Sequence, residues 1–196
     1  MKKRLGVIGG MGSEATSYYF EELVKHTAAE KDQDHIDTII FNHASIVDRT
    51  KAILTGEVDT LIEQLTKDVR MLEQLEVDNI AIPCNTSHYF YDILQEKTNV
   101  PIIHMVKETI KHAVNQFEGV RKIGVLATTG TIQSGVYKKE IEELGLETVI
   151  PSPSRQEDVM SLIYDDIKKG KPGEYEKFER AYDELVDKGS DVVILA

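Results

Sequence analysis

Short apolar runs rich in β-branched residues alternate along the chain with longer amphipathic stretches. Leu5–Ile8, Thr38–Phe41, Asn79–Ile82, Ile102–His104, Lys122–Leu126, Glu147–Ile150 and Asp191–Leu195 read as strands. Between them, "SEATSYYFEELVKHTAAE" and "VDTLIEQLTKDVRMLEQL" read as helices. In the second, Leu61, Leu65, Val69 and Leu72 recur at helical spacing and mark a buried face. This alternation predicts βαβ units, with a parallel sheet covered by helices on both faces. The Pro/Ser cluster "IPSPSRQED" reads as a loop leading into the next helix.

The pattern also repeats. Displaced by 118 residues, "RLGVIGGMGSEATSYYFEEL" from Arg4 lies over "KIGVLATTGTIQSGVYKKEI" from Lys122 without a gap. Gly6 then meets Gly124, Gly12 meets Gly130 and Tyr19 meets Tyr137. "VDNIAIP", just before Cys84, similarly lies over "SDVVILA", with Asp78 on Asp191 and Pro83 on Ala196. Two homologous α/β halves are expected, residues 1–100 and 101–196. The position matching Cys84 would be residue 197, so the second half is expected to be incomplete at its C-terminus.

Composition narrows the partners. The formal charge is −11 and the isoelectric point about 5.0. A nucleic acid or an anionic membrane would call for a basic patch, so neither is expected as a partner. The excess acid reads as solubility. No apolar run approaches the roughly 20 residues of a membrane span. "MKKRLGVIGG" has a basic start but no long apolar segment, so it reads as a first strand and not as a signal peptide. A single cysteine rules out an internal disulfide framework, and a cytoplasmic location is expected.

That cysteine raises the chemistry. In "IAIPCNTSHYF", Cys84 follows a predicted strand and precedes a predicted helix, which Thr86 or Ser87 could cap. A helix start lowers a thiol's pKa, and ligands of parallel sheets bind at the carboxyl ends of strands. The competing reading is a small buried cysteine. "GGMGSEA" fits a G-x-G-x-x-A fingerprint through Gly10, Gly12 and Ala15, yet the next strand ends in Asn42 and His43, not in the acid a dinucleotide ribose requires. The turn either binds an anion or simply packs its helix on the strand. Met11 reads as a packing residue whose backbone could line the pocket. In "NHASIVDRT", Arg49 could grip a carboxylate or stand in solvent. "LATTGT" offers the hydroxyls of Thr128, Thr129 and Thr131. A metal site on Cys84 and His88, with His43 or His104, lacks a second close ligand pair, and no metal is expected.

Together, "GVIGGMGSEAT", "NHASIVDRT", "PCNTSH" and "LATTGT…GVY" resemble the aspartate/glutamate racemase superfamily, most of all its aspartate racemase branch. The resemblance runs from about Arg4 to the last residue. Ser13 departs from the proline usual in that branch. The resemblance implies two α/β domains related by pseudo-twofold symmetry, with the active site in the cleft between them. It implies a cofactor-independent racemase acting on an acidic amino acid, often as a homodimer. Cys84 would be one acid/base. Asn85, Thr86 and Ser87 would bind the α-carboxylate, Arg49 and Lys168 the side-chain carboxylate, and Thr131 would line the pocket. A second cysteine on the opposite face is implied at residue 197, so the 196-residue chain alone is expected to be inactive. The alternatives are a one-cysteine dicarboxylate isomerase or decarboxylase, and a non-catalytic binding protein for small acids.

Overall fold

β1 (Arg4–Gly9) is the middle strand of a three-stranded parallel sheet, between β2 (Asp37–Asn42) and β3 (Asn79–Ala81). The computed structural model describes residues 2–196, and this sheet lies in the first of two compact units, which ends at Met105. Side chains alternate between its faces with the two-residue period of a strand. Leu5, Val7 and Ala81 meet Tyr19 and Leu23 of α1 (Ser13–His26) on one face. Ile8 and Ile80 join Leu61, Leu65, Val69 and Leu72 of α3 (Asp59–Gln74) in the core on the other. The helical spacing read from the sequence is therefore the buried face of α3.

The second unit begins at Val106 and repeats the plan. β4 (Lys122–Leu126) lies between β5 (Glu147–Val149) and β6 (Val192–Leu195), again all parallel. Ile123 and Val125 pack with α5 (Met105–Gln116) and α7 (Val136–Glu143). Leu126 and Val149 pack with α8 (Pro153–Ser161) and α9 (Tyr175–Asp187).

The repeat extends to single hydrogen bonds. Asp78 accepts from the Arg4 N–H at 2.6 Å, and its own N–H donates to the Arg4 carbonyl at 2.8 Å. Asp191 makes the same pair with Lys122, at 2.8 and 2.9 Å. Gly6 and Gly124 match as well. A Cβ on Gly6 would stand 2.9 Å from the Leu72 side chain of α3, and one on Gly124 would stand 3.0 Å from Leu185 of α9. Glycine in the middle strand lets a helix lie close against it in both units.

Two local expectations change. Ile102–His104 is not a strand: Ile102 makes one isolated bridge to Ile80, and α5 starts at Met105. The chain bonds to Ile80 alone, through the Pro101 carbonyl and the Ile103 N–H, before turning into the helix. Much of "IPSPSRQED" is helix, because Pro153 occupies the first turn of α8, where its missing N–H costs nothing. The counterpart of α1 is broken. α6 (Thr129–Ser134) stops at Gly135, which adopts φ 70°, and α7 starts immediately after it.

Candidate active site

All three strands of the first sheet run in parallel, so their carboxyl ends share one edge. Each delivers a candidate segment there: Gly10–Gly12 after β1, His43–Asp48 after β2 and Cys84–Ser87 after β3. The first two segments are pressed together. Gly10 has φ 87°, and a Cβ on it would lie 2.3 Å from the His43 carbonyl carbon. Only glycine fits both the backbone angle and the contact. Asn42, where a dinucleotide site would need an acid, donates instead to the Ser13 hydroxyl at 2.9 Å.

Arg49 opens α2 (Arg49–Thr55), whose N-cap Asp48 accepts from the Lys51 N–H at 2.8 Å. Its position excludes the solvated-surface reading, since the residue is only 8% exposed. Nη1 donates to the Val47 carbonyl and Nη2 to the Met11 carbonyl, both at 3.1 Å. Its buried Nε has no partner among the described residues. The loop carrying Arg49 is tied to α3 twice. The Val47 N–H donates to Gln64 Oε1 at 3.1 Å, and His43 Nδ1 meets Asp68 Oδ2 at 2.8 Å. Burial raises the Asp68 carboxyl's pKa, and the His43 contact opposes that shift.

Met11 links this loop to the cysteine segment. Its carbonyl receives Arg49, and its sulfur accepts from the Ser87 hydroxyl at 3.2 Å. Cys84 is 8% exposed and belongs to the apolar cluster that includes Ile8, Met11, Ile46 and Phe90. Thr86 and Ser87 are also buried. The helix expected after Cys84 is instead a five-residue 3₁₀ turn, Thr86–Phe90, followed by the short α4 (Tyr91–Gln95). Neither Thr86 nor Ser87 caps it. Asn85 holds the cap position with helical backbone angles and makes no side-chain capping bond. Cys84 therefore precedes a short, tight turn and not the start of a full helix.

One residue of this segment escaped the reading of the sequence except as a metal ligand. His88 places Nδ1 2.9 Å from the Cys84 carbonyl, and Nε2 accepts from the Met105 N–H at 3.1 Å. Both ring nitrogens are thus engaged with main chain, which leaves neither for a metal. The signal was its spacing, four residues after the cysteine. In the second unit, Thr131 is buried on α6, its N–H 3.2 Å and its hydroxyl 3.1 Å from Thr128 Oγ1. Lys168 lies in the irregular segment after α8, with Nζ 3.8 Å from the Tyr164 ring centroid. The first unit therefore brings Met11, Arg49, Cys84 and Ser87 together, while Thr131 and Lys168 belong to separate elements of the second.

Residues 8–196 match the family model described as Asp/Glu/Hydantoin racemase. The chain belongs to this family. A broad specificity amino-acid racemase from Bacillus subtilis is 31% identical over 163 residues, which cover 81% of this chain and 69% of that one. The structure of an aspartate racemase from Picrophilus torridus superposes with a TM-score of 0.81 at 26% identity, covering 99% of this chain and 80% of that one. An aspartate racemase homologue from Pyrococcus horikoshii OT3 gives 0.77 at 26% identity, covering 98% and 84%. The family is one of racemases, which are isomerases. No helix among the described residues is long and apolar enough to cross a membrane.

Proposed function

We propose that the protein acts on the α-carbon of an acidic amino acid, aspartate foremost, with Cys84 as acid/base on one face. The observation that carries this reading is Arg49: a buried guanidinium whose partners are two carbonyls and whose Nε has none among the described residues. A buried cation without a counter-charge is costly, and a bound carboxylate would supply both the charge and the missing acceptor. Met11, Asn85, Thr86 and Ser87 adjoin Cys84 or Arg49 and would hold the rest of the substrate, with Thr131 and Lys168 contributing from the second unit.

The chemistry follows from the weak acidity of an α-hydrogen. The Cys84 thiolate removes it as a proton, giving a thiol and a carbanion whose charge spreads into the α-carboxylate. Held donors stabilise that charge where it develops. Inversion then needs a proton from the opposite face. The 196 residues contain one cysteine, so a second thiol among them cannot serve that face. Alone, this polypeptide would take the α-hydrogen of one enantiomer, lose it from the thiol to solvent and return a solvent-derived one to the same face, without racemisation. The alternatives of dicarboxylate isomerisation and decarboxylation draw on the same single thiol.

A substrate panel in D2O tests the reading. Each enantiomer of aspartate, glutamate and alanine is followed by proton NMR beside maleate and malonate. Aspartate deuterated at the α-carbon, with alanine inert, is expected. Turnover of maleate or malonate without exchange of any amino acid would replace the proposal with the one-cysteine alternative.

A further inference from the structure

His88 is only 4% exposed, and its ring lies against those of Tyr91 and His104, with centroids at 6.5 and 5.4 Å. Its two nitrogens meet opposite needs. The Cys84 carbonyl, 2.9 Å from Nδ1, requires a donor, and the Met105 N–H, 3.1 Å from Nε2, requires an acceptor. One neutral tautomer, protonated on Nδ1, satisfies both; the hydrogen-bond network assigns it. The Ile103 carbonyl, 3.5 Å from Nε2, is too distant to reverse the choice. Burial also holds the imidazole's pKa below its usual value, against the pull of the Cys84 and Ile103 carbonyls.

Cys84 sits on the segment after β3, and its N–H already turns back to the Ile82 carbonyl at 2.7 Å. Met105 opens α5 and is the last residue of the first unit. From Val106 onward, α5 contributes Val106 and Ile110 to the second unit's core. The main chain of the candidate acid/base is thus fastened, through one side chain, to the N–H of Met105 within the first unit.

We propose that neutral His88 is a positioning residue that sets the place of the Cys84 thiol by clamping the Cys84 carbonyl to the first N–H of α5. This rests on Cys84 being the acid/base, and its test keeps the two claims apart. Cys84 is the sole cysteine of the 196 residues, so alkylation by iodoacetamide reads this thiol alone, whether or not the protein turns over substrate. His88→Phe keeps the ring and removes both polar atoms. His88→Asn keeps an amide donor close to the position of Nδ1.

Losing one buried hydrogen bond corresponds to a change of about tenfold or more. We expect His88→Phe to accelerate alkylation of Cys84 by roughly that factor, as the released segment exposes the thiol. The rate of α-hydrogen exchange should fall by a similar factor, with KM for aspartate changed less than about twofold. His88→Asn, which keeps the donor to the Cys84 carbonyl but offers no acceptor to the Met105 N–H, should recover each rate only in part. Circular dichroism and thermal melting confirm that each variant is folded. Wild-type alkylation in His88→Phe, or equal effects from Phe and Asn, would overturn the proposal. Exchange that survives in Cys84→Ala would overturn the acid/base reading instead, and would leave the alkylation result to judge the clamp.

Discussion

Arg49 places a full charge inside the first unit with carbonyls for company and one N–H unmatched. Such a group weakens the empty protein and strengthens the occupied one. Arg49→Met should therefore melt at or above the wild-type temperature without ligand. It should also lose the rise in melting temperature that aspartate gives the wild type. Removing a charge-assisted contact of this kind costs about 2–3 kcal/mol of binding, or roughly 30- to 150-fold in Kd, measurable by calorimetry. Arg49→Lys should recover only part of this, because an ammonium cannot reproduce the fork that also holds Val47 and Met11. Gly10 is constrained by geometry instead of charge. Gly10→Ala combines φ 87° with a contact of 2.3 Å to the His43 carbonyl carbon. It should destabilise the fold by about 2 kcal/mol or more in urea titrations, since backbone on both sides must shift.

The helices show how much a periodic pattern can reveal. α3 was legible because Leu61, Leu65, Val69 and Leu72 repeat at its period, and all four are buried. Leu72→Ala should cost about 2–5 kcal/mol in urea titrations, the range for deleting a fully packed leucine. Ile102–His104 looked like a strand for an equally local reason, a β-branched run after a proline. What overrides that run is tertiary: α5 begins at Met105, whose N–H is capped by His88 from seventeen residues upstream. No local pattern encodes such a cap. The junction of α8 and α9 was equally invisible. Asp158 is held at about 2 by Arg180 and Arg155. Burial works to raise Glu184, but Lys188 and Ser152 outweigh it and hold that carboxyl at about 2 as well. Both lie below their ordinary values of 3.8 and 4.5. Depressed carboxyls stabilise the fold above their unfolded pKa values and lose that contribution as pH falls through the folded ones. The urea midpoint of the protein should therefore fall between about pH 5 and pH 2, and Asp158→Asn should flatten that slope.

Across the chain, two sheets of the same order place equivalent strand ends at equivalent positions. The sequence repeat, with Gly124 lying 118 residues after Gly6 and Asp191 lying 113 after Asp78, foretold this, because a glycine pressed by a helix and an aspartate tied to the first strand recur for the same structural reasons. The candidate site was legible where chemistry shows in residue type, as with Cys84 and Arg49. It was not legible where a function is made by approach: the Ser87 hydroxyl on the Met11 sulfur, the Met11 carbonyl on Arg49, and His88 between Cys84 and Met105. Family membership supplies the class of reaction, and these contacts supply an account of how this chain would take part in it. The most direct test is α-hydrogen exchange of D- and L-aspartate in D2O by the 196-residue protein and by Cys84→Ser, followed by proton NMR. The account predicts deuteration of one enantiomer by the unmodified protein and none by the variant. Exchange that persists at the unmodified rate in Cys84→Ser, or exchange by neither protein, would contradict it.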